Sequence, residues 1–186
     1  MGKLSTKISA AHKKFIEAQQ MFFVATAPLS PQGHISLSPK GLEHLIVLNP
    51  NQVIYLDLVG SGNETSAHLL ENNRITFMFC SYKKVPNILR LYGTGNIILP
   101  TDPQWQNYIK HFQAKKGIRQ IIIADIYHVQ TSCGYGVPLY DYKGTRTVLQ
   151  DWANHKGEDG LAAYIKENNM QSIDGLKTHY AAKQNP

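Results

Sequence analysis

The chain has 186 residues, 42% of them hydrophobic and 17% charged, with a formal net charge of +6. That is apolar material enough for one core, and too little charge for a disordered acidic or basic chain. No apolar run approaches the ~18–20 residues of a membrane span, and Met1–Ala10 has no apolar stretch of the secretory kind, so the expected location is the cytoplasm.

The charge invites a nucleic-acid reading, which its distribution argues against. Basic residues occur in pairs at most (Lys13-Lys14, Lys83-Lys84, Lys115-Lys116) and are spread along the chain, whereas nucleic-acid binders concentrate them on one element. A mild positive field also suits a small anionic ligand. Cys80 and Cys133 read as two free thiols, one packed inside a strand and one packed in a tight turn. A reactive Cys133 would need a nearby base or a helix N-terminus, which the sequence does not show. The eight histidines show no i, i+4 pair of the zinc type and read as scattered surface residues, with no metal expected.

In chain order, residues 5–20 have apolar residues at three- and four-residue steps (Ile8, Ala11, Phe15, Ala18, Phe22) and predict a helix, with Ser5 as its N-cap. The period then changes. Phe22–Ala27 is a short apolar strand ending at Pro28, and Leu29–Gly33 has hairpin-loop composition. In His34–Ser38 the alternation predicts a half-buried strand with Ile35 and Leu37 inward. Leu45–Leu48 and Val53–Val59 are strands joined by Asn49-Pro50-Asn51-Gln52, a turn composition.

Gly60-Ser61-Gly62-Asn63 breaks the sheet, and Asn63 is placed to cap a helix running to Asn72. Arg74–Tyr82 and Ile88–Leu99 are further strands. On the second, Arg90 and Tyr92 share one face, while Gly93 and Gly95 leave room for close backbone approach. A helix is expected over Trp105–Lys115, then a long strand over Gln120–Thr131. Two helices follow, Val148–Asn154 and Leu161–Asn168, the second capped by Asp159. The chain divides into a barrel domain with its N-terminal helix (residues 1–146) and a helical extension packed on it (residues 147–186). Strands joined by short turns, with no regular β-α alternation and no Gly-x-Gly-x-x-Gly, argue for a barrel or sandwich over a doubly wound sheet.

Four segments carry a more specific signal: FFVATAPLSPQGHISLSPKG at Phe22–Gly41, YLDLVGSGNETSAHLLENN at Tyr55–Asn73, ILRLYGTG at Ile88–Gly95, and SCGYGVP at Ser132–Pro138. In order and spacing they resemble the pyridoxamine 5′-phosphate oxidase-like family. The resemblance implies a mainly β fold with peripheral helices, a six- to seven-stranded antiparallel split β-barrel. It further implies a homodimer with flavin mononucleotide (FMN) in the clefts between subunits. By the same resemblance Lys40 grips the cofactor phosphate, with Ser36 and Ser38 on its strand face. Gly62, Asn63 and Thr65 hold it from the turn, and Arg90 points toward the cofactor from a later strand.

The chemistry agrees: backbone N–H groups at a helix start, small hydroxyls and a fixed cation suit a phosphate. Taken singly, the same features read as a turn with a helix cap, a solvated lysine and a surface arginine. The sequence also departs from the true pyridoxamine phosphate oxidases. The turn has Ser61, Gly62 and Asn63 where those enzymes have an Arg-Lys pair, and the C-terminal Arg-Leu-x-Pro tail is absent. The expectation is therefore an FMN-dependent oxidoreductase of unknown substrate, other than a pyridoxamine phosphate oxidase, transferring hydride through flavin N5. The alternative is a non-enzymatic flavin or small-molecule binder on the same barrel.

Overall fold

A computed structural model describes residues 2–42, 44–113 and 115–184. A two-residue strand β1 (Leu4–Ser5) leads into α1 (Ala10–Glu17), then β2 (Phe22–Thr26), β3 (Ser36–Lys40), β4 (Ile46–Asn49) and β5 (Gln52–Leu58). Helix α2 (Glu64–Asn72) precedes β6 (Arg74–Cys80) and β7 (Ile88–Ile98). The short α3 (Trp105–Ile109) precedes β8 (Ile118–Ser132), and α4 (Val148–Asn168) and α5 (His179–Gln184) complete the chain.

The strands form one antiparallel sheet in the order β3-β2-β6-β7-β8-β5-β4, with β1 paired to β8 off this path. The sheet curls without closing: this is an antiparallel split β-barrel with peripheral helices. Its inside is filled from both halves, by Phe22, Phe77 and Phe79 against Tyr55, with Phe22 and Tyr55 edge-on at 5.6 Å. Each such ring removes large apolar area from water, the main term holding the barrel together. β5 is buried on both faces: Tyr55 points into the barrel, while Ile54 and Leu56 pack under α3 with Trp105 and Phe112.

The glycines on β7 behave as their positions suggest. A Cβ on Gly93 would lie 2.7 Å from the Asp125 carbonyl, and one on Gly95 3.0 Å from Leu69 of α2. These two positions let β8 and α2 approach closely.

Several expectations are corrected. Helix α1 starts later, capped by Ser9 rather than Ser5. The Ser9 hydroxyl accepts the His12 N–H at 3.2 Å while the His12 ring accepts the Ser9 N–H, a reciprocal box that the apolar periodicity did not reveal. Helix α3 has five residues, because its end is held by single-turn bonds such as Phe112 N–H to Ile109 carbonyl. The two C-terminal helices run into one another with a kink at Gly157, whose φ of 66° only glycine adopts easily. The break thus comes before Asp159. His68, expected at the surface, is fully buried, with Nδ1 2.9 Å from the Thr26 hydroxyl. Cys80 is buried as expected, but Cys133 is exposed rather than packed. Among the described residues no group of three or more His, Cys, Asp or Glu side chains is placed to hold a metal. Among those residues, too, no helix is long and apolar enough to cross a membrane.

Candidate functional site

β3 is an edge strand, and its orientation determines the site. Lys40 pairs with Phe22 in register, and the alternation puts Ser36, Ser38 and Lys40 on the half-buried face. Ile35 and Leu37, expected inward, are 76% and 61% exposed. The inner face of this strand borders an opening rather than the core, so it carries hydroxyls and an ammonium while the apolar side chains face out.

Across that opening lies a buried charge cluster. Asp57 of β5 is 3% exposed. Its Oδ2 accepts from Arg119 (Nη2 2.7 Å, Nε 3.0 Å) and from Gln120 Nε2 at 2.9 Å, and its Oδ1 from Lys40 Nζ at 3.1 Å. Burial pushes the Asp57 carboxyl up, but Arg119 and Lys40 outweigh it and hold the pKa down at about 2. Arg119 reaches Asp57 because of a bulge. Asp57 pairs with Gln120 and Leu58 with Ile118, leaving Arg119 as the extra residue on β8. Its Nη1 donates to the Gly62 carbonyl and to Asn169 Oδ1, both at 2.8 Å.

The turn into α2 is anchored in the same cluster. Asn63 occupies the N-cap position, but its side chain makes no capping bond. Instead its oxygen accepts from Gln120 at 2.8 Å and its amide donates to the Asn169 carbonyl at 3.2 Å. This corrects the capping role expected for Asn63, and it leaves the first-turn N–H groups of α2 without a side-chain cap. The C-terminal segment completes the cluster. Asn169 donates to the Gly60 carbonyl, Thr178 to the Asn169 carbonyl, and the Tyr180 hydroxyl to the Arg119 carbonyl.

Between β3 and this turn is a cavity of about 390 Å³. Ser36, Ser38, Lys40, Gly62, Asn63 and Thr65 all line it, so six of the seven residues expected at the site come together. Arg90 does not. It stands in register with Met78 and Gln130 in the middle of the sheet, and its Nη1 donates to the Ser132 hydroxyl at 2.9 Å. Asp57, Arg119, Gln120 and Asn169 are the residues that sequence reasoning missed. The signal available for three of them was a charged or amide residue inside an apolar strand run, at YLDLV and at IRQIII.

The arrangement can hold an anionic group by directed donors. Lys40 spends one bond on Asp57 and its side chain keeps 27% exposure, and the open first turn of α2 faces the same space. Lys40 and Arg119 are balanced in the lining by Asp57 and Glu64, so an anion here is held by placed N–H groups rather than by net charge.

The sequence profile of the family described as Pyridoxamine 5′-phosphate oxidase matches residues 8–133. A curated relative, the Pyridoxamine 5′-phosphate oxidase family protein ustO of Aspergillus flavus, is 41% identical over 181 residues, covering 88% of this chain and 72% of that protein. Two crystal structures of HupZ from Group A Streptococcus superpose with TM-scores of 0.53 and 0.50 at 16% and 18% identity. They cover 67% and 66% of this chain and 99% and 91% of theirs, a likeness of fold. With a profile match over most of its length and a relative this similar, the chain belongs to the pyridoxamine 5′-phosphate oxidase family.

Proposed function

We propose that this chain is a cytoplasmic FMN-dependent oxidoreductase acting on a small molecule other than pyridoxamine phosphate. The observation that carries the reading is the cavity between β3 and the α2 turn, in a chain of this family. Its donors fit a phosphate: the Lys40 ammonium, the Ser36 and Ser38 hydroxyls, Thr65, and the N–H groups that Asn63 leaves uncapped. When bound, the flavin supplies hydride transfer at N5.

The protein's own part is positioning. Asp57 sets the Lys40 ammonium at the end of β3, and the Arg119–Asn169 pair holds the turn at its carbonyls. Asp57 itself is committed to three partners and stays ionised, so it neither gives nor takes a proton near neutral pH. A cavity without a poised acid or base is consistent with chemistry carried by the cofactor, and equally with a protein that only binds flavin.

The chain is proposed to work as a homodimer. Ile35 and Leu37 expose apolar surface on the outer face of the sheet, the face that also carries Arg90 through the pairs Pro39–Phe23, Phe23–Met78 and Met78–Arg90. Arg90 would then serve a cofactor across the interface rather than the cavity of its own chain. Residues 147–186 are proposed as an extension packed on the barrel of residues 1–146, fixing the turn through Asn169.

Titration of the purified protein with FMN, followed by quenching of flavin fluorescence, tests the reading. Binding is expected, with affinity falling about tenfold in Lys40→Ala, the loss of one charge-assisted contact. FMN that keeps its free fluorescence in the presence of the protein would overturn it. Anaerobic mixing of the flavin-loaded protein with reduced nicotinamides then separates enzyme from binder. Bleaching of the oxidised flavin band is expected, and a stable band favours the binder.

A further inference from the structure

A second, larger cleft of about 840 Å³ opens beside the anion cavity and shares its wall at Pro39, Gly41, Leu42 and Leu149. It lies between the end of α1, within the part of the chain that the family profile matches, and the segment Tyr140–Arg146, which follows that part. Its size is that of a small-molecule site. Two features distinguish it from an ordinary surface groove.

The first is aromatic. Tyr140 and Tyr142 are 64% and 51% exposed. Tyr140 meets Tyr82 at 5.5 Å, held by a bond from its N–H to the Tyr82 carbonyl, and Trp152 lines the same cleft, half-buried and edge-on to Tyr164. The second is charge. Among the described residues, Lys83, Lys143 and Arg146 line the cleft against one carboxylate, that of Asp141. An aromatic wall rimmed with excess cations complements a flat ring bearing a negative charge.

We propose that this cleft is the substrate site and takes a planar aromatic anion, its ring against Tyr140, Tyr142 and Trp152 and its charge on Lys83, Lys143 and Arg146. The assignment as a substrate site rests on the reading of the neighbouring cavity as the flavin-phosphate site. The shared wall sets the cleft directly beside the cavity read as holding the flavin phosphate.

The probes are 4-hydroxycinnamate, its neutral methyl ester, and 4-nitrophenyl phosphate. They are titrated calorimetrically and by tryptophan fluorescence, with and without saturating FMN. The carboxylate is expected to bind and to quench Trp152, with the ester at least tenfold weaker. Comparison with the phosphate shows which anion the cations prefer. Tyr140→Ala and Arg146→Ala each weaken the carboxylate about tenfold and leave FMN affinity unchanged, and FMN loading leaves the carboxylate affinity intact.

Several results would overturn the proposal: equal binding of acid and ester, no effect of either variant, or no binding of any probe. Loss of carboxylate binding on FMN loading would make the cleft part of the cofactor site. A dimer that becomes a monomer in Tyr140→Ala, by light scattering, would make it the seat of a second copy. A protein that binds the aromatic anion but no FMN would retain the cleft and refute the flavin reading.

Discussion

The anion cavity and the aromatic cleft share a wall and are built in opposite ways. Around the cavity nearly every polar group is committed: Asp57, Arg119, Gln120, Asn63 and Asn169 bond one another out of water, with four of the five at or below 3% exposure. Along the cleft, residues 139–148 are exposed throughout and form no regular structure before α4. Buried, densely bonded networks fix a geometry and leave it little freedom. An exposed strap of tyrosines and cations can adapt to what it meets.

The largest effect should come from breaking the fixed region at its centre. Asp57→Ala leaves Arg119 buried without its counter-charge and releases Lys40, a change of the kind that costs about 3–5 kcal/mol. Urea unfolding followed by circular dichroism measures it. A variant as stable as the parent would mean that Arg119 finds water or another acceptor, and that the cluster is less closed than its bonds suggest.

Acid should act on the same region. The folded pKa of Asp57 is about 2 against an ordinary 3.8, so its ionised form stabilises the fold above the ordinary value, and this stability is lost as the pH falls through the folded one. The difference corresponds to about 2 kcal/mol. Unfolding measured between pH 5 and pH 2 should show that loss in the parent and lack it in Asp57→Asn. An identical pH profile in the two would place the acid sensitivity elsewhere.

Much of the fold, and part of what builds the site, is legible in the sequence. The strands of the barrel were visible as apolar runs between turn residues, because burial on a pleated sheet imposes period two. The six site residues that line the cavity are the ones the family resemblance points to, and they lie close together in sequence, at one strand end and one turn. The rest of the network is not legible in this way, for a physical reason. Asp57, Arg119 and Asn169 are separated by 62 and 50 residues, and what unites them is a one-residue bulge on β8 that no periodicity announces. The orientation of β3 escapes the sequence pattern for a related reason. Alternation gives two faces without saying which is inward, and at the edge of an open sheet the polar face can be the enclosed one.

A smaller perturbation tests the link between the C-terminal segment and the cavity. Asn169→Ala removes the bonds to Arg119 and to the Gly60 carbonyl and should cost about 1–3 kcal/mol, since buried partners are left unsatisfied. Its more telling effect is on FMN. The Gly60–Thr65 turn loses its tether, so FMN affinity should fall although the deleted side chain does not line the cavity. Unchanged affinity would show that the turn holds its shape without α4, and would separate the extension from the site.

The least effect on the fold is expected on the outer face of β3, and there a small change carries the most information about assembly. Leu37→Ser replaces an exposed apolar side chain with a polar one, away from every core cluster, and exposed substitutions of this kind stay within about 0.5 kcal/mol. If the sheet face is only a surface, the variant differs from the parent in nothing. If a second copy covers it, light scattering should show the dimer weakening, with urea stability of the monomer unchanged. FMN affinity should fall with it if Arg90, on the same outer face, serves a cofactor through the partner as proposed. A dimer that survives Leu37→Ser with full FMN affinity would move the interface elsewhere, and Arg90 would then be left as a strand residue whose function is its bond to Ser132.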